Sequence, residues 1–147
     1  MGSEACYNQS MLKHLHARYP VMAGIALIFT ALYVGEYYGL YYAIPYFDKI
    51  MHAVGGAVAA WFALALMQDE VTHMAWWKQA LIFISVAALI GVVWEWAEHL
   101  ANYTRTSYPL FYKYFSGGDL ADTLGDLVAD TLGAVVATVV ALRKERT

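Results

Sequence analysis

Charge is what this chain has least of. Only 14% of its 147 residues are Asp, Glu, Lys or Arg against 61% hydrophobic ones, too few polar side chains to wet the surface of a soluble domain. Cysteine is nearly absent as well, and the lone Cys6 excludes both an intrachain disulfide and a thiolate metal cage. Of three prolines, Pro20 and Pro45 bracket an apolar run instead of interrupting it. The first residues, MGSEACYNQSMLKHLHARY, lack the apolar core and cleavage site of a signal peptide. Gly-x-Ser-x-Gly, a nucleotide-binding loop, His-Glu-x-x-His and the spacing of the CDP-alcohol phosphotransferases are all missing, so no motif fixes a reaction. With a formal net charge of −3, no nucleic-acid partner is expected.

What is present is length in apolar runs. Four stretches, about 21–44, 48–67, 79–100 and 119–142, can each cross a hydrocarbon core of about 30 Å. The expectation is an all-α polytopic membrane protein, an antiparallel four-transmembrane-helix bundle forming a single membrane domain over 1–147. In the 1–19 segment, Met11, Leu12, Leu15 and Tyr19 recur at helical spacing opposite Lys13 and Arg18, which suits a short N-terminal interfacial helix, with a frayed polar tail as the alternative. Four spans put both termini on the side that holds Lys13, Arg18, Lys78, Arg143, Lys144 and Arg146, so the positive-inside rule makes the termini cytoplasmic. Trp76 and Trp77 suit the inner aromatic belt, and Tyr37, Tyr38, Tyr41, Tyr42 and Tyr46 the outer one.

The scarce charges are not scattered. Glu36 near the end of span one, Asp48 and His52 at the start of span two, Glu95, Glu98 and His99 at the end of span three, and Asp119, Asp122, Asp126 and Asp130 in span four all fall in the outward half. At 100° per residue the four span-four aspartates occupy an arc of about 80°, and Glu95, Glu98 and His99 one of about 100°. Asp48 and His52, four residues apart, stack on one face. Gly55, Gly56 and Ala59 on span two, with Gly125, Ala129 and Gly133 on span four, allow close helix approach.

An ionisable group in mid-membrane costs roughly 2.5–3.5 kcal/mol on insertion scales, so such groups face a partner or a cavity. Here eight carboxylates meet three bases, Lys49, Arg105 and Lys113, a surplus of five negative charges. Two divalent cations would remove four of the five, and neutral imidazoles would help hold them; the alternative is a proton-binding cluster with raised carboxylate pKa values. The reading is a metal site with His52, Glu95, His99, Asp122 and Asp126 as ligands and Asp48, Glu98 and Asp130 as orienting or acid/base groups, for Zn, Mn or Fe. Asp119 suits a helix cap better than a ligand. A metal there would serve an enzyme acting on a lipid or other amphipathic substrate. The alternatives are a proton- or cation-coupled transporter, disfavoured by apolar inner halves such as AAWFALALM and LGAVVATVVAL, and a small structural partner subunit. A homo-oligomer stays open.

The motif order DKIMHAVGG, WEWAEH, DTLGDLVADTLGA resembles that of the small YjdF-like inner-membrane proteins and, more distantly, the VanZ-like family, across spans two to four. The resemblance implies a bacterial cytoplasmic-membrane location and no settled activity. In the distant relatives an Asn commonly stands where this chain has Asp130.

Overall fold

The computed structural model describes Tyr19, residues 22–115 and residues 117–144. The expected interfacial helix and Cys6 lie outside the described residues, apart from Tyr19. Among the described residues six helices follow one another: α1 (Met22–Tyr37), α2 (Leu40–Ala43), α3 (Phe47–Val71), α4 (Trp76–Tyr103), α5 (Pro109–Phe115) and α6 (Leu120–Lys144). No strand occurs among the described residues. Three of these helices, α3, α4 and α6, are long and apolar enough to cross a membrane.

The apolar run 21–44, which reads as one span, is two pieces in the structure. Gly39 adopts φ 65°, a left-handed conformation that closes a helix and that glycine takes without a Cβ penalty. Its N–H turns back to the Glu36 carbonyl at 3.3 Å, and the single turn α2 follows. This ends α1 at Tyr37, after 16 continuous described residues. Tyr46, at φ 62°, then turns the chain into α3, although a side chain in that region costs roughly 1–2 kcal/mol.

At the far end of α3, a tight turn stands α4 antiparallel to it. The Met74 N–H donates to the Val71 carbonyl at 2.9 Å, and Gln79 Nε2 donates to the Met74 carbonyl at 2.9 Å. Between α4 and α6, α5 lays Phe115 against Trp94 with ring centroids 5.2 Å apart, and Asn102 Nδ2 donates to the Gly117 carbonyl at 2.9 Å. α6 thereby starts at the same end as α3 and runs parallel to it. This shared end, where α3 and α6 begin and α4 finishes, is called the acidic end below.

The most extensive packing joins α3 to α6. Small residues make it possible: a Cβ on Gly56 would strike the Asp130 backbone carbonyl, and one on Gly133 would strike that of Ala53. Away from the acidic end the core consists of Ala59, Ala60, Ala87 and Ala134, then Ala63, Val71, Phe83 and Leu142. Leu81, Leu89, Trp96, Leu132, Val136 and Val140 point outward, an apolar exterior that suits hydrocarbon and would be costly in water. Trp76 and Trp77 are exposed at one end, and Tyr37, Tyr38, Tyr42 and Tyr46 at the other.

Candidate metal site at the acidic end

Helical spacing builds the site. On α6 the residues Asp126, Asp130, Ala134, Thr138 and Leu142 are all buried, a row with four-residue steps whose first two members are carboxylates. α3 contributes Asp48, Lys49 and His52 from its first turns, and α4 contributes Glu95 and Glu98 from its last ones. His52, only 8% exposed, stands where the three helices meet.

The two ring nitrogens of His52 face different partners. Nε2 lies 3.6 Å from Asp126 Oδ1 and 3.9 Å from Asp48 Oδ1. Nδ1 lies 3.4 Å from Asp130 Oδ2 and 4.0 Å from Glu95 Oε1. Two groups of three donors therefore share the imidazole: Asp48, His52 and Asp126 on one side, and His52, Glu95 and Glu98 on the other, each with its donor atoms within 4.8 Å of one another. Tetrahedral ligands at about 2.1 Å from a metal stand about 3.4 Å apart, so closing either group needs side-chain shifts of roughly 1 Å. Glu95 Oε1 is buried and has no hydrogen-bond partner among the described residues. A carboxylate oxygen left bare in a buried site is costly unless a cation or proton meets it.

Lys49 is the residue that sequence reasoning undervalued. Its ammonium donates to Asp122 Oδ1 at 2.5 Å, Asp126 Oδ1 at 2.7 Å, Asp48 Oδ2 at 3.3 Å and the Asp122 carbonyl at 3.3 Å. The signal was available in the chain, because Lys49 precedes His52 by three residues and shares its helix face. Trp94 went unnoticed in the same way; one turn before Glu98, its Nε1 donates to Glu98 Oε1 at 2.7 Å.

Of the residues expected at the site, His52, Glu95 and Asp126 come together, with Asp48, Glu98 and Asp130 around them. Asp122 is held by Lys49 and half-exposed. His99 is exposed and belongs to neither group. The reason is geometric: the buried row Gln79, Phe83, Ala87, Gly91, Glu95 advances by about 40° at each four-residue step. One more such step carries His99 off the seam, whereas the three-residue step to Glu98 turns back into it. Asp119 caps α6, its Oδ1 accepting from the Ala121 and Asp122 N–H groups at 2.9 and 3.1 Å.

Both donor groups border a cavity of about 720 Å³ between α1 and the α3–α4 pair. Its acidic end presents Glu36, Asp48, His52, Glu98 and Asp130, and its other limb presents Ile25, Phe29, Leu32, Val58, Phe62 and Ile90. From Glu36 to Ile25 is eleven residues of α1, so the cavity follows the helix for about 16 Å. Tyr41, in the turn α2, also lines it, with its hydroxyl buried and unpartnered. Burial, then the nearby Asp48, Glu98 and Glu36, push the Tyr41 phenol up to about 12, which keeps it a neutral donor.

Residues 11–147 match the family described as "Predicted membrane protein (DUF2238)". The chain belongs to that family. The match takes in every helix described above and every residue of the acidic cluster, so in this DUF2238 protein the site lies wholly inside the family's extent. No curated protein and no solved structure matches the chain.

Proposed function

We propose that this protein is a metal-dependent membrane enzyme that works on a lipid or other amphipathic substrate at the acidic end of its bundle. The observation that carries the reading is the continuity of the cavity. One end is lined by carboxylates and His52, the other by aliphatic and aromatic side chains, so a polar head and a hydrocarbon tail can be held together. His52, Glu95 and Glu98 are the ligands the geometry favours, with Glu98 in the place that His99 was expected to take. A donor set of carboxylates with one imidazole favours Mn or Fe over Zn. Such an ion supplies Lewis-acid polarisation of a phosphoryl or carbonyl oxygen and an activated water. Asp130, 3.4 Å from His52, is the carboxylate placed to hold a proton beside the ligands.

Lys78 and the basic RKER sequence that follows Leu142 support a cytoplasmic C-terminus and an outward acidic end, and the resemblance to the YjdF-like proteins supports a bacterial cytoplasmic membrane. The motif order supports kinship with the YjdF-like and, at greater distance, the VanZ-like proteins. Among the described residues the alanine-packed half buries only Gln79 and Thr138 as polar side chains, which speaks against cation transport.

Elemental analysis of the detergent-purified protein, after supplementation with Zn, Mn and Fe, tests the reading. Bound metal in the wild type and its loss in Glu95→Gln are expected. A wild type that retains no metal overturns the proposal, and cation flux above background in proteoliposomes would make the protein a transporter instead.

A further inference from the structure

The two donor groups around His52 suggest a pair of metals at first sight, but one of the two positions already holds a cation. The Lys49 ammonium touches Asp48 and Asp126, the two carboxylates of the first group, and Asp122 besides. Asp126 is 1% exposed and the Lys49 side chain 29%, so this pairing is partly shielded from competing salt. The second group has no such occupant. Glu95 Oε1 is buried without a partner, although Glu95 is only 6% exposed and its Oε1 stands 4.0 Å from His52 Nδ1.

We infer that Lys49 is a tethered cation filling one of two cation positions, so that the centre takes a single divalent metal, bound by His52, Glu95 and Glu98. The inference rests on the metal-site reading above and fixes the number and place of the ion. The imidazole supports the same division of labour. Nε2 faces Asp126 and Asp48, the two carboxylates that Lys49 holds, at 3.6 and 3.9 Å, whereas Nδ1 faces Glu95 at 4.0 Å and lies 3.4 Å from Asp130 Oδ2. Lys49 then denies that position to a second metal while holding Asp48 and Asp126 in place.

Metal counting and electron paramagnetic resonance on the full-length protein loaded with Mn²⁺ test this. The wild type should bind one equivalent and give the spectrum of an isolated ion. Lys49→Met should bind two and show spin coupling between neighbouring ions, while Lys49→Arg stays at one. Glu98→Gln should lose the metal and Asp48→Asn should keep it; these variants and the wild type decide the matter even if Lys49→Met fails to fold. Two equivalents in the wild type, a single one in folded Lys49→Met, or metal lost from Asp48→Asn but kept by Glu98→Gln overturns the inference while leaving a metal site standing. A wild type without Mn²⁺ overturns the metal reading itself and this inference with it.

Discussion

Phe83 and Asp126 are the two largest side chains fully buried among the described residues, and they sit in opposite halves of the bundle. Phe83 packs with Ala63, Val71 and Leu142, where every neighbour is apolar and close contact is the only cohesive force available in lipid. Asp126 packs against Lys49 and His52, where each contact offsets a charge. Yet both halves use one architecture. Along α6, Asp126, Asp130, Ala134, Thr138 and Leu142 occupy the same buried row, and only the chemistry changes midway. Packing therefore asks for compact side chains at these positions and does not ask for carboxylates. The acidic half carries an electrostatic cost that the alanine half shows to be avoidable, which is the usual mark of a site kept for function.

Extending the acidic row into the apolar half should break this contrast most severely. Ala134 is fully buried among Ala59, Ala60 and Ala87. For Ala134→Asp we expect about 3 kcal/mol for an unpaired carboxylate plus about 1–3 kcal/mol for overpacking, seen as loss of folded protein in detergent. Removing charge from the acidic half should come next: Asp126→Ala strips Lys49 and His52 of their most buried partner and should lower stability by about 3 kcal/mol in thermal unfolding. Gly56→Ala attacks the crossing that the halves share. Its methyl meets the Asp130 carbonyl, so a loss of about 2 kcal/mol is expected, together with weaker metal retention because His52 and Asp130 are pushed apart. The smallest effect has the opposite sign. Thr138 Oγ1 is buried without a partner, so Thr138→Val should stabilise the protein by about 1 kcal/mol. A destabilised Thr138→Val would mean that the apolar half contains a polar function of its own.

The acidic end was legible in the chain because helical periodicity depends on local spacing alone. Asp126 and Asp130, or Asp48 and His52, share a face whatever surrounds them. The choice between Glu98 and His99 was not legible, since both lie within one turn of Glu95. What separates them is the drift of the buried row on α4, a property of how that helix crosses its neighbours. Lys49 was undervalued for a related reason: its three partners include two from α6, more than seventy residues away, and only the α3–α6 crossing brings them within reach. The break at Gly39 was hidden because hydropathy averages over a window, whereas a single left-handed residue ends a helix regardless of the average. Three helices long enough to cross a membrane, and their order, followed from hydropathy; the end of α1 at Tyr37 did not.

The alanine-packed half also has an electrical consequence. A dry slab of close-packed small side chains is a poor conductor, so a voltage across the membrane drops mainly there. His52 lies five residues into α3, about 8 Å from its start, or roughly a quarter of a 30 Å hydrocarbon core. An elementary charge crossing the full membrane at 100 mV exchanges about 2.3 kcal/mol, so one reaching His52 from the acidic end exchanges only about 0.6 kcal/mol. For a monovalent charge that shifts affinity less than threefold and for a divalent one less than tenfold, leaving occupancy of the cluster mainly to its carboxylates and imidazole.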